Sequence, residues 1–145
     1  MNHTPSEAPR LCVGALIEKD GKFFIMFSHK WGDRGCVPGG GVDGGETLER
    51  AVIRETMEET GMRVQPLRLI CVQESLSSPE YHKPSHFVSV NFHCRWLSGE
   101  PVLNEEAQSC GWYTREDALK LELNSITREL IRRYDRLAWV GDGAG

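Results

Sequence analysis

The sequence lacks the features that mark membrane-spanning or disulfide-stabilised proteins. No apolar run approaches the roughly 20 residues that a helix needs to cross a bilayer. Residues 1–10, which include Pro5 and Pro9, lack the charged and apolar regions of a signal peptide. The 5 cysteines are odd in number and none stands in a C-x-x-C spacing, so we expect neither disulfides nor structural zinc. We therefore predict a cytoplasmic protein with a flexible lead-in at 1–10 and cysteines that are small core residues.

The chain also lacks the excess of basic residues that is typical of proteins binding a nucleic-acid duplex. Its 17 Lys and Arg residues stand against 21 Asp and Glu residues, which gives a formal net charge of −4. A small polyphosphate is still compatible with this charge, because a bound metal ion can supply the positive charge that the ligand needs. We therefore expect a small-molecule partner, and neither a duplex nor a membrane.

The pattern of apolar and turn-forming residues predicts a single α/β (α+β) domain over residues 11–140, with a flexible tail at 141–145. Asp20-Gly21 between two apolar runs is typical of a β-hairpin. The glycine-rich stretch 29–45 predicts a loop, and Pro66 predicts a break in the strand around it. The predicted strands are Leu11–Ile17, Lys22–Ser28, Arg63–Glu74, His86–Leu97 and Gly111–Tyr113, and the predicted helices are Thr47–Thr60, Arg115–Leu121 and Ser125–Val140.

The sharpest chemical signal lies on the first predicted helix, which Thr47 caps and Gly61 follows. Glu55, Glu58 and Glu59 stand three and four residues apart, so they share one side of this helix. Taken alone, such residues more often form a solvated acidic face. Three neighbouring carboxylates repel one another, however, and a hard divalent cation such as Mg²⁺ bound over them would offset that cost.

The residues around the helix favour the metal site over the solvated face. Residues 38–41 read Pro-Gly-Gly-Gly, so the backbone can come close and its N–H and C=O groups can meet phosphates or metal beside the carboxylates. Glu46 lies just before the helix, where it either joins the cluster or caps the helix start. Arg54 is placed to pair with a neighbouring carboxylate and set its angle.

Residues 40–62 read GGVDGGETLERAVIRETMEETGM, which resembles the Nudix box, G-x5-E-x7-R-E-U-x-E-E-x-G-U, with U a bulky apolar residue. Met62 fits the last U, but Thr56 departs from the first. On a helical wheel Thr56 points into the apolar sector of Leu48, Val52, Ile53 and Met57, where its hydroxyl is expected to bond the carbonyl four residues earlier. Every fixed position of the box is matched, at Gly40, Glu46, Arg54, Glu55, Glu58, Glu59 and Gly61.

The resemblance implies a Nudix fold, in which a mixed sheet lies between helices and the box forms a loop–helix–loop. It implies hydrolysis of a pyrophosphate bond by an activated water, with Mg²⁺, or alternatively Mn²⁺, as the cofactor. The implied metal ligands are Glu55, Glu58 and Glu59, joined by the Gly39 carbonyl and, directly or through water, by Glu46.

The resemblance also implies roles for residues near the metal. Glu55 is the first candidate general base, with Arg54 supporting it. Glu106 is a second candidate base or an additional metal ligand, although Glu105 and Glu106 equally fit a solvated loop. The backbone of Gly39, Gly40 and Gly41 is implied to contact substrate phosphates.

Recognition of a nucleobase needs an aromatic platform and a polar group for the base edge. Phe27, Trp31, Tyr81 and Phe87 are candidate platforms, and Phe27 and Asn124 are the predicted base contacts. Asn124 lies between two predicted helices, where asparagine is more often an N-cap or turn residue. Residues 82–86 fit an exposed loop better than a phosphate-binding segment.

Outside the box the likeness is less specific. Cys36-Val37-Pro38-Gly39-Gly40 resembles the family's W-x-P-G-G segment, with Cys36 in place of the aromatic residue. The C-terminal half resembles bacterial MutT-like members that act on nucleoside triphosphates, through Asn104-Glu105-Glu106, Trp112, Asp117, Leu123-Asn124 and Thr127.

The leading functional hypothesis is therefore hydrolysis of a (deoxy)nucleoside triphosphate to the monophosphate and pyrophosphate. A nucleotide-sugar or ADP-ribose hydrolase is the alternative, since the box handles only the shared diphosphate. A nucleotide-sensing domain without catalysis is a third hypothesis, although such a domain is expected to lose carboxylates. The resemblance also allows a homodimer.

Overall fold

The structure is a computed structural model that describes residues 8–144, with side chains described as far as Arg136. A 3-10 turn at His29–Trp31 follows the second strand. No helix in the described part of the chain is long and apolar enough to cross a membrane. The strands are β1 (Arg10–Lys19), β2 (Lys22–Ser28), β3 (Arg34–Cys36), β4 (Gly39–Gly41), β5 (Arg63–Leu76), β6 (His86–Ser98) and β7 (Ala107–Tyr113), and the helices are α1 (Leu48–Thr60), α2 (Arg115–Lys120) and α3 (Ser125–Ala144).

The strands form one mixed sheet in the order β3-β2-β1-β6-β5. Strands β1 and β6 are parallel, whereas the other pairs are antiparallel. β4 pairs with the first half of β1, with Cys12 opposite Gly41, and β7 pairs with β2. β1 therefore changes neighbours along its length, and this change brings the glycine strand beside the centre of the sheet.

Helices cover both faces of this sheet, as the resemblance implies. α1 buries Ala51 and Val52 in one core cluster, which includes Phe24 and Phe92. α2 and α3 contribute Ala118, Leu130 and Ile131 to a second cluster on different sheet residues, among them Leu16 and Ile25. The α+β arrangement of a mixed sheet between helices is thus confirmed.

Local signals predicted several element boundaries correctly. Asp20 and Gly21 both have positive φ angles, 53° and 77°, as a two-residue hairpin between β1 and β2 requires. The Thr47 hydroxyl accepts a hydrogen bond from the Arg50 amide at the start of α1, and Gly61 ends the helix with a φ of 73°. All 5 cysteines are free thiols with buried or half-buried side chains, as expected.

The prediction of a loop over residues 29–45 is wrong, because β3 and β4 lie within it. Each has only three residues and is held by pairing with a distant strand, which local propensity does not reveal. Nor does Pro66 end its strand. β5 is an edge strand that runs past Pro66 with a register shift, so the missing N–H does not interrupt the sheet.

The predicted chain ends also need correction. Arg10 belongs to β1 and not to a flexible lead-in, because it pairs with β6 opposite Phe87. α3 continues beyond Val140 to Ala144, so residues 141–144 are helical and not a tail. The remaining lead-in residues 1–7 and Gly145 lie outside the described residues.

The buried face of α1 differs from the expected one. Ile53 and Met57 are 38% and 40% exposed, whereas Thr56 and Thr60 are 1% and 0% exposed. The Thr56 hydroxyl has no hydrogen-bond partner among residues 8–136, so its expected bond to the Val52 carbonyl is absent. Thr60 instead forms such a bond, donating to the Thr56 carbonyl at 2.7 Å and accepting from the Met62 amide at 3.1 Å.

We predict that Thr56→Val raises the free energy of unfolding by about 1 kcal/mol, because it removes a buried hydroxyl without a partner while keeping the side-chain shape. Thr60→Val is the matched control on the same helix. It should lower stability by about 1 kcal/mol, since it removes two hydrogen bonds. Urea unfolding curves measure both, and a destabilised Thr56→Val variant would contradict the prediction.

Candidate active site

One cavity of about 370 Å³ opens where β1, β4 and α1 meet, a volume in the range of small-molecule sites. Its surface divides by chemistry into acidic, glycine, aromatic, amide or hydroxyl, and cationic parts. The acidic part is formed by Glu55, Glu58, Glu59 and Glu106, and the glycine part by Gly39, Gly40 and Gly41. The aromatic part is formed by Trp31, Tyr81 and Phe87. The amide or hydroxyl part is formed by Ser89, Asn91, Asn124 and Thr127, and the cationic part by Arg10 and Lys30.

Behind the acidic wall, the Arg54 guanidinium joins the glycine strand to α1. Its Nε and Nη2 donate to the two Glu46 oxygens at 2.6 and 2.8 Å, and Nη2 also donates to the Gly41 carbonyl at 2.9 Å. Its Nη1 donates to Glu55 at 3.1 Å and to Glu58 at 3.2 Å. Arg54 therefore bonds three box carboxylates, whereas the sequence predicted pairing with one neighbouring carboxylate.

The structure assigns Glu46 to this guanidinium. Both of its oxygens are bonded to Arg54, and Oε1 also accepts from the Asp43 amide at 3.0 Å. The Arg54 hydrogen bonds hold the pKa of Glu46 at about 2. Glu46 is not among the residues lining the cavity, and its expected part in the metal shell, directly or through water, stays a prediction.

The glycine strand approaches the α1 carboxylates closely. A Cβ on Gly40 would lie 2.4 Å from Oε1 of Glu55, so only glycine leaves room for this carboxylate. The Gly39 amide donates to Glu59 at 3.2 Å. Burial, with Glu55 and Glu106 nearby, raises the pKa of Glu59 to about 8 against the effect of that hydrogen bond.

The donor set of this wall fits Mg²⁺. Its carboxylate and carbonyl oxygens are hard donors, and the space kept open by Gly40 lies directly at Glu55. As they lie, no three His, Cys, Asp or Glu side chains among the described residues are gathered closely enough to hold an ion. Arg54 draws Glu55 and Glu58 toward itself, so binding an ion requires these carboxylates to turn into the cavity.

Two further predicted residues line the cavity with part of their polar groups already engaged. The Glu106 carboxylate forms an ion pair with Lys30, so it is not a plain solvated loop residue. Asn124 is 2% exposed, and its Oδ1 accepts from the Thr127 amide at 2.8 Å, as an N-cap of α3 does. Asn124 thus combines the capping role with a place in the cavity wall.

The assignment of Phe27 to the substrate site is wrong. This ring packs in the second core cluster near Gly35 and is not among the residues lining the cavity. The other three aromatic candidates do line it. Strand alternation explains the difference, because the neighbouring residues Met26 and Ser28 face the cavity while Phe27 points to the opposite face of the sheet.

Sequence reasoning missed four residues of the wall. Ser89 and Asn91 stand two residues apart on β6, on one face, and are 6% and 1% exposed. Ser89 and Asn91 alternate with the apolar residues Val88, Val90 and Phe92, and this alternation is a signal that could have found them. Arg10 and Lys30 carried no comparable pattern, because only the pairing of distant strands brings them to the cavity.

Comparison with known proteins decides the family. The family model of the NUDIX domain matches residues 8–134. The chain belongs to the Nudix family. Its sequence is 32% identical over 130 residues to ADP-ribose pyrophosphatase from Methanocaldococcus jannaschii, covering 88% of this chain and 74% of that protein. It is 29% identical over 131 residues to the nucleoside triphosphatase NudI from Enterobacter sp., covering 82% and 92%.

A solved structure supports the same assignment. The MutT NUDIX hydrolase from Burkholderia pseudomallei matches with a TM-score of 0.77 at 30% identity, over 88% of this chain and 98% of that one. The protein is therefore an enzyme, a Nudix pyrophosphohydrolase of nucleotide substrates. Nudix hydrolases generally use divalent metal ions.

We predict that Gly40→Ala lowers kcat/KM about 100-fold, because the new Cβ displaces the Glu55 carboxylate by an ångström or so. Gly44→Ala, in the turn that follows the glycine strand, is the matched control, since a Cβ there meets nothing within 4 Å. Steady-state kinetics at saturating metal measure the effect, and circular dichroism checks that both variants fold. A Gly40→Ala enzyme as active as Gly44→Ala would show that the close approach does not matter.

Proposed function

We propose that this enzyme hydrolyses a nucleoside or deoxynucleoside triphosphate to the monophosphate and pyrophosphate in a Mg²⁺-dependent reaction. The observation that carries the proposal is that one cavity joins the box carboxylates and glycine backbone to an aromatic and amide wall. The first part suits a polyphosphate with its metal, and the second suits a base. The likeness to NudI supports the triphosphate as substrate.

In this proposal Glu55, Glu58, Glu59 and the Gly39 carbonyl hold the metal ion. When bound, Mg²⁺ neutralises charge on phosphate oxygens and lowers the pKa of a water molecule. Glu55 accepts the proton of the attacking water as the new O–P bond forms and the bridging P–O bond breaks, which releases pyrophosphate. Arg54 orients Glu55 through the hydrogen bond at 3.1 Å.

The cations of the cavity suit the phosphates. Arg10 lies against Gly41, where a Cβ would come within 2.9 Å of its Nε, and it forms no ion pair with any described residue. Its guanidinium is therefore available for bidentate bonding to a phosphate. Lys30 is held by Glu106, so both candidate bases, Glu55 and Glu106, are paired with a cation.

A nucleotide-sugar or ADP-ribose hydrolase is the second candidate, favoured by the 32% identity to the archaeal ADP-ribose pyrophosphatase. The chemistry at the bridging oxygen would be the same, and only the group beyond the second phosphate would differ. Retention of every fixed box residue disfavours a sensing domain without catalysis. We also expect the enzyme to act in the cytoplasm, with a homodimer as its assembly.

The decisive assay is phosphate and pyrophosphate release from a panel of deoxynucleoside and ribonucleoside triphosphates, nucleotide sugars and ADP-ribose, with and without Mg²⁺. We predict that triphosphates turn over fastest, that pyrophosphate is the product and that EDTA abolishes activity. Faster turnover of ADP-ribose or a nucleotide sugar would replace the first candidate with the second. Binding of a compound from the panel without turnover of any of them would favour the hypothesis of a nucleotide-sensing domain without catalysis.

We predict that Glu58→Gln lowers kcat by two orders of magnitude or more, because it removes a charged ligand from the proposed metal site while its amide can still accept from Arg54. Glu49→Gln is the matched control, an exposed glutamate in the first turn of the same helix. Turnover is compared over a Mg²⁺ titration. Wild-type activity and magnesium dependence in Glu58→Gln would remove Glu58 from the metal site.

A further inference from the structure

The aromatic part of the cavity comes from three separate segments. Trp31 lies in the turn after β2, Tyr81 in the loop between β5 and β6, and Phe87 on β6. The ring centroids of Trp31 and Tyr81 are 4.6 Å apart, and Phe87 lies 6.2 and 5.8 Å from them. All three rings are only half-buried, so they retain surface on which a planar group can stack.

Tyr81 is the ring whose position is not set by a strand, a helix or a helical turn. It lies near the tip of the loop 77–85, which is closed at its base by a 2.7 Å hydrogen bond from the Ser77 amide to the Ser85 carbonyl. The His82 amide, next to Tyr81, donates to the Lys30 carbonyl at 2.7 Å. This bond joins the loop to the turn that carries Trp31.

A second attachment comes from Glu80, on the other side of Tyr81. Its Oε1 accepts from both the amide and the hydroxyl of Ser125, at 2.9 and 3.1 Å. Its Oε2 lies 3.9 Å from Nε of Arg34. Ser125 is the first residue of α3, where free amides and the helix dipole favour a carboxylate.

The attachment at Ser125 also relates the loop to the amide part of the cavity. Asn124 precedes Ser125, and its Oδ1 is bound by the Thr127 amide. Its Nδ2 donates to no described residue, so this donor is available to an acceptor in the cavity. A single carboxylate thus sets the position of an aromatic ring relative to a hydrogen-bond donor.

We propose that Glu80 is a positioning residue that holds Tyr81 beside Trp31, so that these rings stack a nucleobase whose acceptor edge meets Asn124. The inference rests on the proposed function only in that the substrate is a nucleotide. A base is common to triphosphates, nucleotide sugars and ADP-ribose, so it applies to whichever of them the enzyme cleaves.

The chain offers a graded test at one position. Glu80→Ala removes the acceptor for Ser125, whereas Glu80→Gln keeps an oxygen in place of Oε1 and loses the negative charge and the contact with Arg34. For the nucleotide that turns over best, Glu80→Ala should raise KM about tenfold, the loss expected for weakened stacking, with kcat changed less than about twofold. Glu80→Gln should restore KM, and Lys83→Ala, an exposed change in the same loop, should leave it unaltered.

Binding without turnover separates this inference from the proposed function. Nucleoside monophosphates are titrated without metal while tryptophan fluorescence is recorded, with ribose 5-phosphate as the base-free ligand and Trp31→Phe to identify the reporting residue. Weaker monophosphate binding in Glu80→Ala, with unchanged ribose 5-phosphate binding, would support the inference even if no triphosphate were cleaved.

Two results would overturn the inference. One is equal monophosphate affinity in the wild type and Glu80→Ala. The other is an equal loss of affinity for the monophosphate and for ribose 5-phosphate, since a general disturbance of the site would affect both. Tyr81→Ala, compared with Tyr81→Phe, repeats the test if Glu80→Ala does not fold, because only the former removes the ring.

Discussion

The geometry of the catalytic wall depends on the Arg54 guanidinium. Its planar set of donors bonds two Glu46 oxygens, the Gly41 carbonyl and one oxygen each of Glu55 and Glu58. One side chain thus joins the glycine strand to α1 across the start of the helix. A lysine offers one point charge and no fixed plane, so it cannot hold these partners at the same angles.

This arrangement divides the acidic residues into two electrostatic groups. Glu46 is fully paired, and the stability from that pairing is present above its ordinary pKa of 4.5 and lost as the pH falls toward 2. Glu59 is the opposite case, since burial raises its pKa to about 8 and, among the described residues, only the Gly39 amide donates to it. The carboxylates that face Arg54 are therefore stabilised by its positive charge. The side that faces the cavity, where the proposed metal and substrate would meet, has too little positive charge to balance its carboxylates.

The sequence was sufficient to predict those parts of this arrangement whose residues lie close together in the chain. Glu55, Glu58 and Glu59 share a helix, Thr47 and Gly61 mark its ends, and the fixed spacing of the box identifies the family. It failed where distant segments decide the outcome. Strands β3 and β4 form only because β2 and β1 pair with them, and neither Arg10 nor Lys30 shows in its own neighbourhood that it faces the cavity.

The face of α1 shows the same limit within a single helix. A helical wheel places positions by hydrophobicity, so it predicted that Ile53 and Met57 are buried. In the structure the sheet instead covers Ala51, Val52, Thr56 and Thr60. The choice follows from the direction in which Arg54 and the carboxylates must point. Once these side chains point toward the glycine strand, the orientation of the helix about its own axis is fixed. Two threonines are then buried in the core, while two large apolar residues face outward.

The difference between the two halves of the cavity explains why family membership does not determine the substrate. The box carboxylates, Arg54 and Gly40 occupy fixed positions of one motif, so their geometry follows from a short stretch of chain. Trp31, Tyr81 and Asn124 come from three segments whose relative position depends on single contacts, such as Glu80 to Ser125. Two relatives about 30% identical to this chain bear different names, an ADP-ribose pyrophosphatase and a nucleoside triphosphatase. We therefore expect substrate choice to depend on the contacts that position the loop more than on the box.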